Sequence, residues 1–352
     1  MATYEAVRDL PLEIESYSLE GREVPVSSEF TRRTTVVHLM GGGHEGVGED
    51  VTYSPEDQEA LQAEGPTLPL AGAHTLDSFS HLLAGLSLFP SGPGMEAFLD
   101  YRRWAYESAA LDLALRQAGT SLAEAVGREA RPVHFVVSLR LEAPPAIDPV
   151  PVLLGRYPAL RFKLDPTSEW TEAVVAELSA LDAVATVDLK GAYKGTPVDQ
   201  PGDPALYRLV AEGFPSAWIE DPDLNEATEP VLAPHRDRIT WDAPIHSVAD
   251  IEGLPFRPRT LNFKPSRFGS VERLFAAYDH CAEHGIAVYG GGQWELGPGR
   301  GQIQYLASLF HPDTPNDVAP ADFNIHRNDP PPGLPTSPLP PRPSATGFRW
   351  GG

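Results

Sequence analysis

The sequence contains little cysteine and no long hydrophobic run. Cys281 is its single cysteine, so no disulfide can form within the chain, as is usual for proteins of reducing compartments. Its apolar runs fall well short of the roughly 20 residues that span a bilayer. The N-terminal residues also lack the basic segment and apolar core of a secretion signal. We therefore expect a cytoplasmic protein that does not contact a membrane.

Basic residues are scarce as well. The chain of 352 residues has 27 Lys and Arg against 49 Asp and Glu, a formal net charge of −22. That charge repels phosphate backbones, so nucleic acid is not an expected partner. Only four basic residues are lysines, namely Lys163, Lys190, Lys194 and Lys264. Because the chain uses arginine for most of its positive charge, each lysine is a candidate for a role that needs a deprotonatable amine.

The first 130 residues have a mixed α+β pattern. Alternating residues at 34–39, a glycine turn at 41–43 and a second stretch at 45–49 predict a β-hairpin. Ser54, followed by Pro55 and two acidic residues, predicts the start of a helix. Apolar residues at three- and four-residue spacing predict a longer helix over about 95–117.

From about residue 132, short apolar runs alternate with helix-length segments. The runs predict seven strands, at 134–139, 160–164, 184–189, 217–220, 238–242, 260–264 and 286–289. Alternation of this kind predicts parallel βαβ units, and a barrel is the favoured architecture. We divide the chain into an α+β domain over 1–130, a barrel domain over 131–328 and a tail over 329–352.

The tail carries eight prolines in 24 residues, which excludes a helix or a central strand. It is either an extended arm packed on the surface or a mobile segment. Phe348 and Trp350 favour the packed arm.

Charged residues stand at the carboxyl ends of consecutive predicted strands. Asp188, Glu220 and Asp242 end three of them, and Lys163 and Lys264 end the strands on either side. The carboxyl ends of barrel strands meet at one mouth, so these side chains should converge. Three carboxylates without paired His or Cys predict Mg²⁺, with Mn²⁺ as a lesser option. Lysines beside such a cation would have a lowered pKa and could act as general bases.

Three motifs make the sequence resemble the enolase superfamily, in its muconate lactonizing enzyme group within the mandelate racemase/muconate lactonizing enzyme family. They are Trp-Ile-Glu-Asp-Pro at 218–222, Lys-Pro-Ser-Arg-Phe-Gly at 264–269 and Gly-Gly-Gln-Trp-Glu-Leu-Gly at 291–297, and the similarity covers about residues 5–325. The resemblance implies an α/β fold in which an α+β capping domain precedes a modified TIM barrel, (β/α)7β. A homo-oligomer is implied as well.

The resemblance also implies a reaction. Asp188, Glu220 and Asp242 would bind Mg²⁺, which holds the carboxylate of a small substrate, and Lys163 and Lys264 would act as acid and base on either side of it. Removal of the proton α to that carboxylate would form a metal-stabilised enolate. The outcome would be racemisation or epimerisation, cycloisomerisation or β-elimination, as in muconate cycloisomerases, N-acylamino acid racemases, dipeptide epimerases and o-succinylbenzoate synthases.

Substrate contacts are expected from both domains. The loops near 21–30 and 43–53 of the capping domain would set specificity, with His44 and Glu45 as candidates that a solvated turn explains equally well. The other residues expected to contact substrate are Glu49, Arg161, Gln293 and Glu295.

The sequence departs from the family pattern at three positions. Lys190 stands two residues after Asp188, where the family commonly has Asn, and an ammonium there could weaken metal binding or pair with a neighbouring acid. Arg161 replaces the first lysine of Lys-x-Lys, and Ala243 replaces a common acid. The alternative interpretation is therefore a non-catalytic relative that binds a small carboxylate or serves a structural role, with an impaired metal site.

Other chemistries are less consistent with the sequence. A zinc hydrolase on a similar barrel would need histidines at strand ends, which here carry Asp, Glu and Lys. His280 and His284 have a spacing that can hold zinc, but they lie on a predicted outer helix, where a solvated face is favoured. The glycine-rich stretches do not match the dinucleotide-binding pattern, so a nicotinamide cofactor is not expected.

Overall fold

The computed structural model of the chain describes residues 2–26, 31–141, 144–196, 198–325 and 329–351. The expected specificity loop at 21–30 therefore lies partly outside the described residues. Strands are numbered in chain order as β1 Pro11–Ile14, β2 Ser16–Pro25, β3 Thr31–Gly41, β4 His44–Asp50, β5 Gly72–Thr75, β6 Val137–Leu139, β7 Phe162–Leu164, β8 Val184–Asp188, β9 Trp218–Glu220, β10 Ile239–Thr240, β11 Thr260–Phe263 and β12 Ala287–Gly290.

Helices flank these strands, and two short 3-10 helices lie at Thr3–Ala6 and Ala233–Arg238. The α-helices are α1 Pro55–Glu64, α2 Leu76–Ala84, α3 Ala97–Gln117, α4 Leu122–Ala125, α5 Pro149–Arg156, α6 Glu172–Ala180, α7 Pro204–Gly213, α8 Glu229–Leu232, α9 Val248–Glu252, α10 Pro265–Phe268, α11 Val271–His284, α12 Pro298–Phe310 and α13 Ala321–Ile325. None of the helices in the described part of the chain has the length and apolar character needed to cross a bilayer.

The N-terminal unit is a three-stranded antiparallel sheet packed on α3. The predicted hairpin is confirmed, because β3 pairs antiparallel with β4 from Thr35↔Asp50 to Gly41↔His44. Gly48 lies so close to α3 that an added Cβ would stand 2.0 Å from the carbonyl oxygen of Ala105. Strand β2 was not predicted, because the apolar alternation at Tyr17 and Leu19 covers only its first half; its second half, at 21–25, was expected to be part of a loop.

The C-terminal unit is a barrel of parallel strands. Strands β6 to β10 form one sheet in the order β10-β9-β8-β7-β6, and β11 pairs with β12. The amide of Asn262 donates to the carbonyl of Trp241 at 3.0 Å and so links β11 to the end of β10. Bridges between Gly291 and Asp317 and between Phe135 and Asn316 close the barrel through a short last segment.

All seven predicted barrel strands are confirmed, with shifted ends. The largest shift is in the first, where only β6 is a strand, because Phe135 pairs with Asn316 instead of continuing the ladder. The capping-domain and barrel architecture expected from the sequence is therefore the one observed.

The proline-rich tail packs on both domains as an extended arm. The side chain of Phe348 is fully buried, and its amide donates to Asp112 Oδ1 at 2.7 Å. Arg349 Nε donates to the other oxygen of Asp112, also at 2.7 Å. Farther back in the tail, Leu339 pairs with Val133 at the start of the barrel. Of the two alternatives for this segment, the packed arm is the one observed.

Replacing Phe348 with Ala should destabilise the protein by about 3–5 kcal/mol, because it removes a buried ring and leaves a cavity. Urea unfolding followed by circular dichroism measures this change. Leu99→Ala on the exposed side of α3 is the control, and its side chain is 41% exposed. We expect that control to change stability by about 0.5 kcal/mol or less. A similar small change for Phe348→Ala would show that the arm is not held by this ring.

Candidate active site

Three carboxylates converge at the carboxyl ends of the barrel strands. Asp188 and Glu220 are the last residues of β8 and β9 and stand opposite each other in the sheet. Asp242 follows β10 by two residues, and all three side chains are buried. One oxygen from each carboxylate lies within 4.8 Å of the others. The sequence therefore predicted this convergence correctly.

The donor set fits a divalent cation. Three buried carboxylates supply hard oxygen ligands, which are the ligands of Mg²⁺. Asp242 Oδ1 is buried without a hydrogen-bond partner in the described structure, so one ligand oxygen is left with unmet bonding capacity. Asp188, Glu220 and Asp242 are the residues that could hold the ion.

Lys163 contacts the carboxylates from one side. It lies in β7, beside β8, and its Nζ is 2.9 Å from Asp188 Oδ2 and forms a second ion pair with Glu220 Oε1. Burial favours the neutral amine, but the charges of Asp188 and Glu220 outweigh it and hold the pKa of Lys163 well above its usual range. Without a divalent ion this lysine is an ammonium, in contrast to the lowered pKa expected beside a bound cation.

Lys264 contacts the carboxylates from the other side. It directly follows β11, and its Nζ is 2.7 Å from Asp242 Oδ2. Burial is the largest single influence and lowers its pKa, but the charge of Asp242 together with Tyr193 outweighs it, so the pKa is raised. Tyr193 Oη donates to the same Asp242 oxygen at 2.7 Å, and Arg267 Nη1 donates to the Asp242 carbonyl at 2.7 Å. Asp242 is thus held in place by three side chains.

Lys190 contacts Asp188, one of the three carboxylates. Its Nζ pairs with Asp188 Oδ2, and Asp165 Oδ2 lies 3.8 Å from the same nitrogen. The expected pairing of Lys190 with neighbouring acids is therefore present, and weakened metal binding stays a prediction.

A cavity of about 690 Å³ opens over these groups. Both candidate bases line it, together with apolar and aromatic side chains from the two domains. Among the lining residues are Tyr53, Met95, Phe98, Tyr101, Leu139, Lys163, Tyr193, Val198, Lys264, Trp294 and Asp317.

Only one of the four predicted substrate contacts lines this cavity. Gln293 does so, and its Nε2 donates to Tyr101 Oη at 2.9 Å. Arg161 is exposed and precedes β7, so it lies toward the amino end of the strand, away from the carboxylates. Its position therefore does not favour a contact with substrate.

Glu49 and Glu295 are buried supports for the loop that ends in α12. Glu49 accepts the amide of Leu296 at 2.6 Å and that of Gly299 at 2.9 Å. Glu295 accepts the amide of Gln293 at 2.6 Å. These carboxylates bind backbone and are not among the residues that line the cavity, so the geometry favours a positioning role, and contact with substrate stays a prediction.

The hairpin candidates lie elsewhere. His44 is exposed at the turn, and Glu45 pairs with His38 and with Arg349 of the tail. Neither is among the residues that line the cavity, which favours the solvated turn over a substrate contact.

Tyr193 and Asp317 are cavity residues that the sequence analysis missed. Tyr193 lies in the connection between β8 and α7, and Asp317 lies in the short closing segment, 3.9 Å from Lys163 Nζ. Neither has a local pattern that marks it. Arg267 was quoted only as part of a motif, although its position three residues after Lys264 places it on the α10 turn.

The capping domain and the barrel have the fold of the enolase superfamily, and the sequence is similar to members of its muconate lactonizing enzyme-like group. The chain belongs to the family described as "Domain of unknown function (DUF8230)", whose C-terminal domain model matches residues 129–325 and whose N-terminal domain model matches residues 5–125.

Curated relatives and a solved structure agree with this placement. The chain is 28% identical over 237 residues to an o-succinylbenzoate synthase of Geobacillus stearothermophilus, covering 64% of this chain and 60% of the relative. It is 32% identical over 233 residues to an N-succinylamino acid racemase of an Amycolatopsis species, covering 62% and 60%. The match thus spans less than two thirds of each relative's length. The crystal structure of a dipeptide epimerase from Methylococcus capsulatus, complexed with a Mg ion, superimposes with a TM-score of 0.66 at 19% identity, covering 87% of this chain and 89% of that one.

Proposed function

We propose that this protein is a Mg²⁺-dependent isomerase or lyase that removes the proton α to a substrate carboxylate. One observation carries the proposal: Lys163 and Lys264 contact the three carboxylates from opposite sides in the strand order and line the same cavity. Two amines on either side of a divalent-ion site can place a proton acceptor at one face of such a carbon and a proton donor or a positive charge at the other.

In this proposal the three carboxylates bind the ion and the two lysines transfer protons. Asp188, Glu220 and Asp242 would hold the ion. A bound divalent ion would stabilise the negative charge that develops on the substrate carboxylate, and it would offset the anionic charge that now raises the lysine pKa values. The Nζ of one lysine then takes the α-proton. The Nζ of the other either returns a proton to the opposite face or balances the charge while a leaving group departs.

The substrate proposal follows from the cavity and from the relatives. The apolar and aromatic lining would accept an acyl or aryl group attached to the reacting carbon. The names of the curated relatives, o-succinylbenzoate synthase and N-succinylamino acid racemase, make N-succinylamino acids the first compounds to test. Other N-acylamino acids, dipeptides and α-substituted carboxylates complete the panel.

The test is exchange of substrate α-protons with ²H₂O, followed by NMR with and without Mg²⁺. We expect exchange that depends on Mg²⁺ and is lost in Glu220→Gln. Glu229→Gln makes the same chemical change at a side chain that is 54% exposed, and it should retain exchange. Absence of exchange with every compound, together with absence of Mg²⁺ binding in calorimetry, would contradict the proposal.

The second candidate is a non-catalytic relative that binds a small carboxylate. The contact of Lys190 with Asp188 favours it, because that ammonium occupies an oxygen that the metal needs. This candidate predicts that substrate-like carboxylates bind in calorimetry without Mg²⁺ and without proton exchange.

A further inference from the structure

We infer that Lys190 is a built-in competitor of the divalent ion, which occupies Asp188 in the metal-free protein and moves to Asp165 when the ion binds. This inference rests on the metal site proposed above. If Lys190 competes in this way, the Kd for the ion depends on Lys190 and Asp165 as well as on the three carboxylates.

Lys190 contacts both carboxylate oxygens of Asp188. Its ammonium pairs with Oδ2, the same oxygen that Lys163 Nζ approaches at 2.9 Å, and its own amide donates to Oδ1 at 3.2 Å. A divalent ion that uses Asp188 must therefore meet one or both ammonium groups. Like charges at this distance repel strongly inside a protein, so the ammonium and the ion compete for the carboxylate.

Backbone hydrogen bonds fix the position of Lys190, while its side chain lines the cavity. The flanking amides of Leu189 and Gly191 donate to the carbonyls of Glu220 and Asp221 at 2.9 and 2.8 Å. Lys190 itself has φ of 54°, a left-handed conformation that non-glycine residues seldom adopt. The hydrogen bonds on both sides keep the Cα in place and thereby aim the long side chain at the mouth of the barrel, where only its rotamer has to change.

Asp165 is a second carboxylate that the Lys190 ammonium can reach. Asp165 directly follows β7, and its Oδ2 lies 3.8 Å from Lys190 Nζ. Its Oδ1 is buried and has no hydrogen-bond partner among the residues that the structure describes. Such an oxygen can accept the ammonium that leaves Asp188, so the displaced charge stays paired. Lys190 thus has two carboxylate partners and can exchange one for the other.

Calorimetric titration of the full chain with Mg²⁺ tests this inference in a double-mutant cycle. Lys190→Met should lower the Kd by about tenfold or more, because it removes the competing charge. Asp165→Asn should raise the Kd about fivefold, because the displaced ammonium loses its second partner; in the Lys190→Met background the same change should alter the Kd by about twofold or less. Lys190→Asn also removes the charge and tolerates the left-handed backbone, so it should tighten binding even if the methionine variant folds poorly.

Lys194→Met is the matched control. It removes the same charge four residues away, from a side chain that is 56% exposed and pairs with Asp223 at 3.0 Å. We expect it to change the Kd by about twofold or less. If wild type binds Mg²⁺ and the Lys190 variants bind it no more tightly, the inference is overturned and the metal site stands. If wild type and every variant fail to bind Mg²⁺, both the site and the inference are overturned.

Discussion

Lys264→Met should lower the rate of the proposed Mg²⁺-dependent α-proton exchange by about 10²–10⁴-fold, the range that a positioned acid or base contributes. The expected reason is that methionine fills the space of the lysine side chain but cannot accept or donate a proton. Lys163→Met should lower the exchange rate over the same range. NMR in ²H₂O, with each enantiomer of an exchanging substrate measured separately, gives the two rates.

The two variants should differ in stereochemistry. If one lysine serves each face of the substrate, each variant loses exchange mainly for one enantiomer. Lys194→Met is again the control, because this lysine lies at the surface and is absent from the cavity lining. Full exchange in either active-site variant would show that the corresponding lysine is not a base in this reaction.

The second large effect is on stability and concerns a buried ion pair in the capping domain. Arg102 Nε is 2.8 Å from Asp50 Oδ2, and both side chains are almost completely buried. The same guanidinium donates to the carbonyls of Leu88 at 3.0 Å and Asp57 at 2.8 Å. Arg102→Met should lower the free energy of unfolding by about 3–5 kcal/mol, because it leaves the Asp50 charge buried and unpaired.

Urea unfolding of three variants separates this explanation from simple loss of packing. Arg8→Met, at an ion pair whose arginine is 36% exposed, should change stability far less than Arg102→Met does. The double variant Arg102→Met and Asp50→Asn should recover part of the loss, since the amide carries no charge. A double variant less stable than Arg102→Met would contradict the role of the unpaired carboxylate.

The position of the carboxylates and lysines could be predicted because a barrel repeats the same unit, a strand followed by a helix. Each βα unit returns the chain to the same mouth, so a charged residue at the end of each apolar run identifies a common location without any long-range information. That is why Asp188, Glu220, Asp242, Lys163 and Lys264 were found together in the structure.

The positions of Glu49 and Arg161 outside the cavity lining could not be predicted from the sequence. Glu49 lies 247 residues from Leu296, whose amide it binds, and no local pattern predicts a hydrogen bond across that separation. Arg161 directly precedes β7 and lies two residues before Lys163, and two residues of extended chain span about 7 Å, enough to move a side chain from the mouth of the barrel toward its other end.

The sequence by itself determined the seven barrel strands, the hairpin, the helix that begins after Ser54 and the residues at the strand ends, because these depend on periodicity and on local capping. Only the tertiary structure decided that the tail docks through Phe348, that Glu49 supports a loop, and that Lys190 has two carboxylate partners. The physical reason is that burial and charge pairing depend on which distant segments meet. That meeting is a property of the folded chain as a whole.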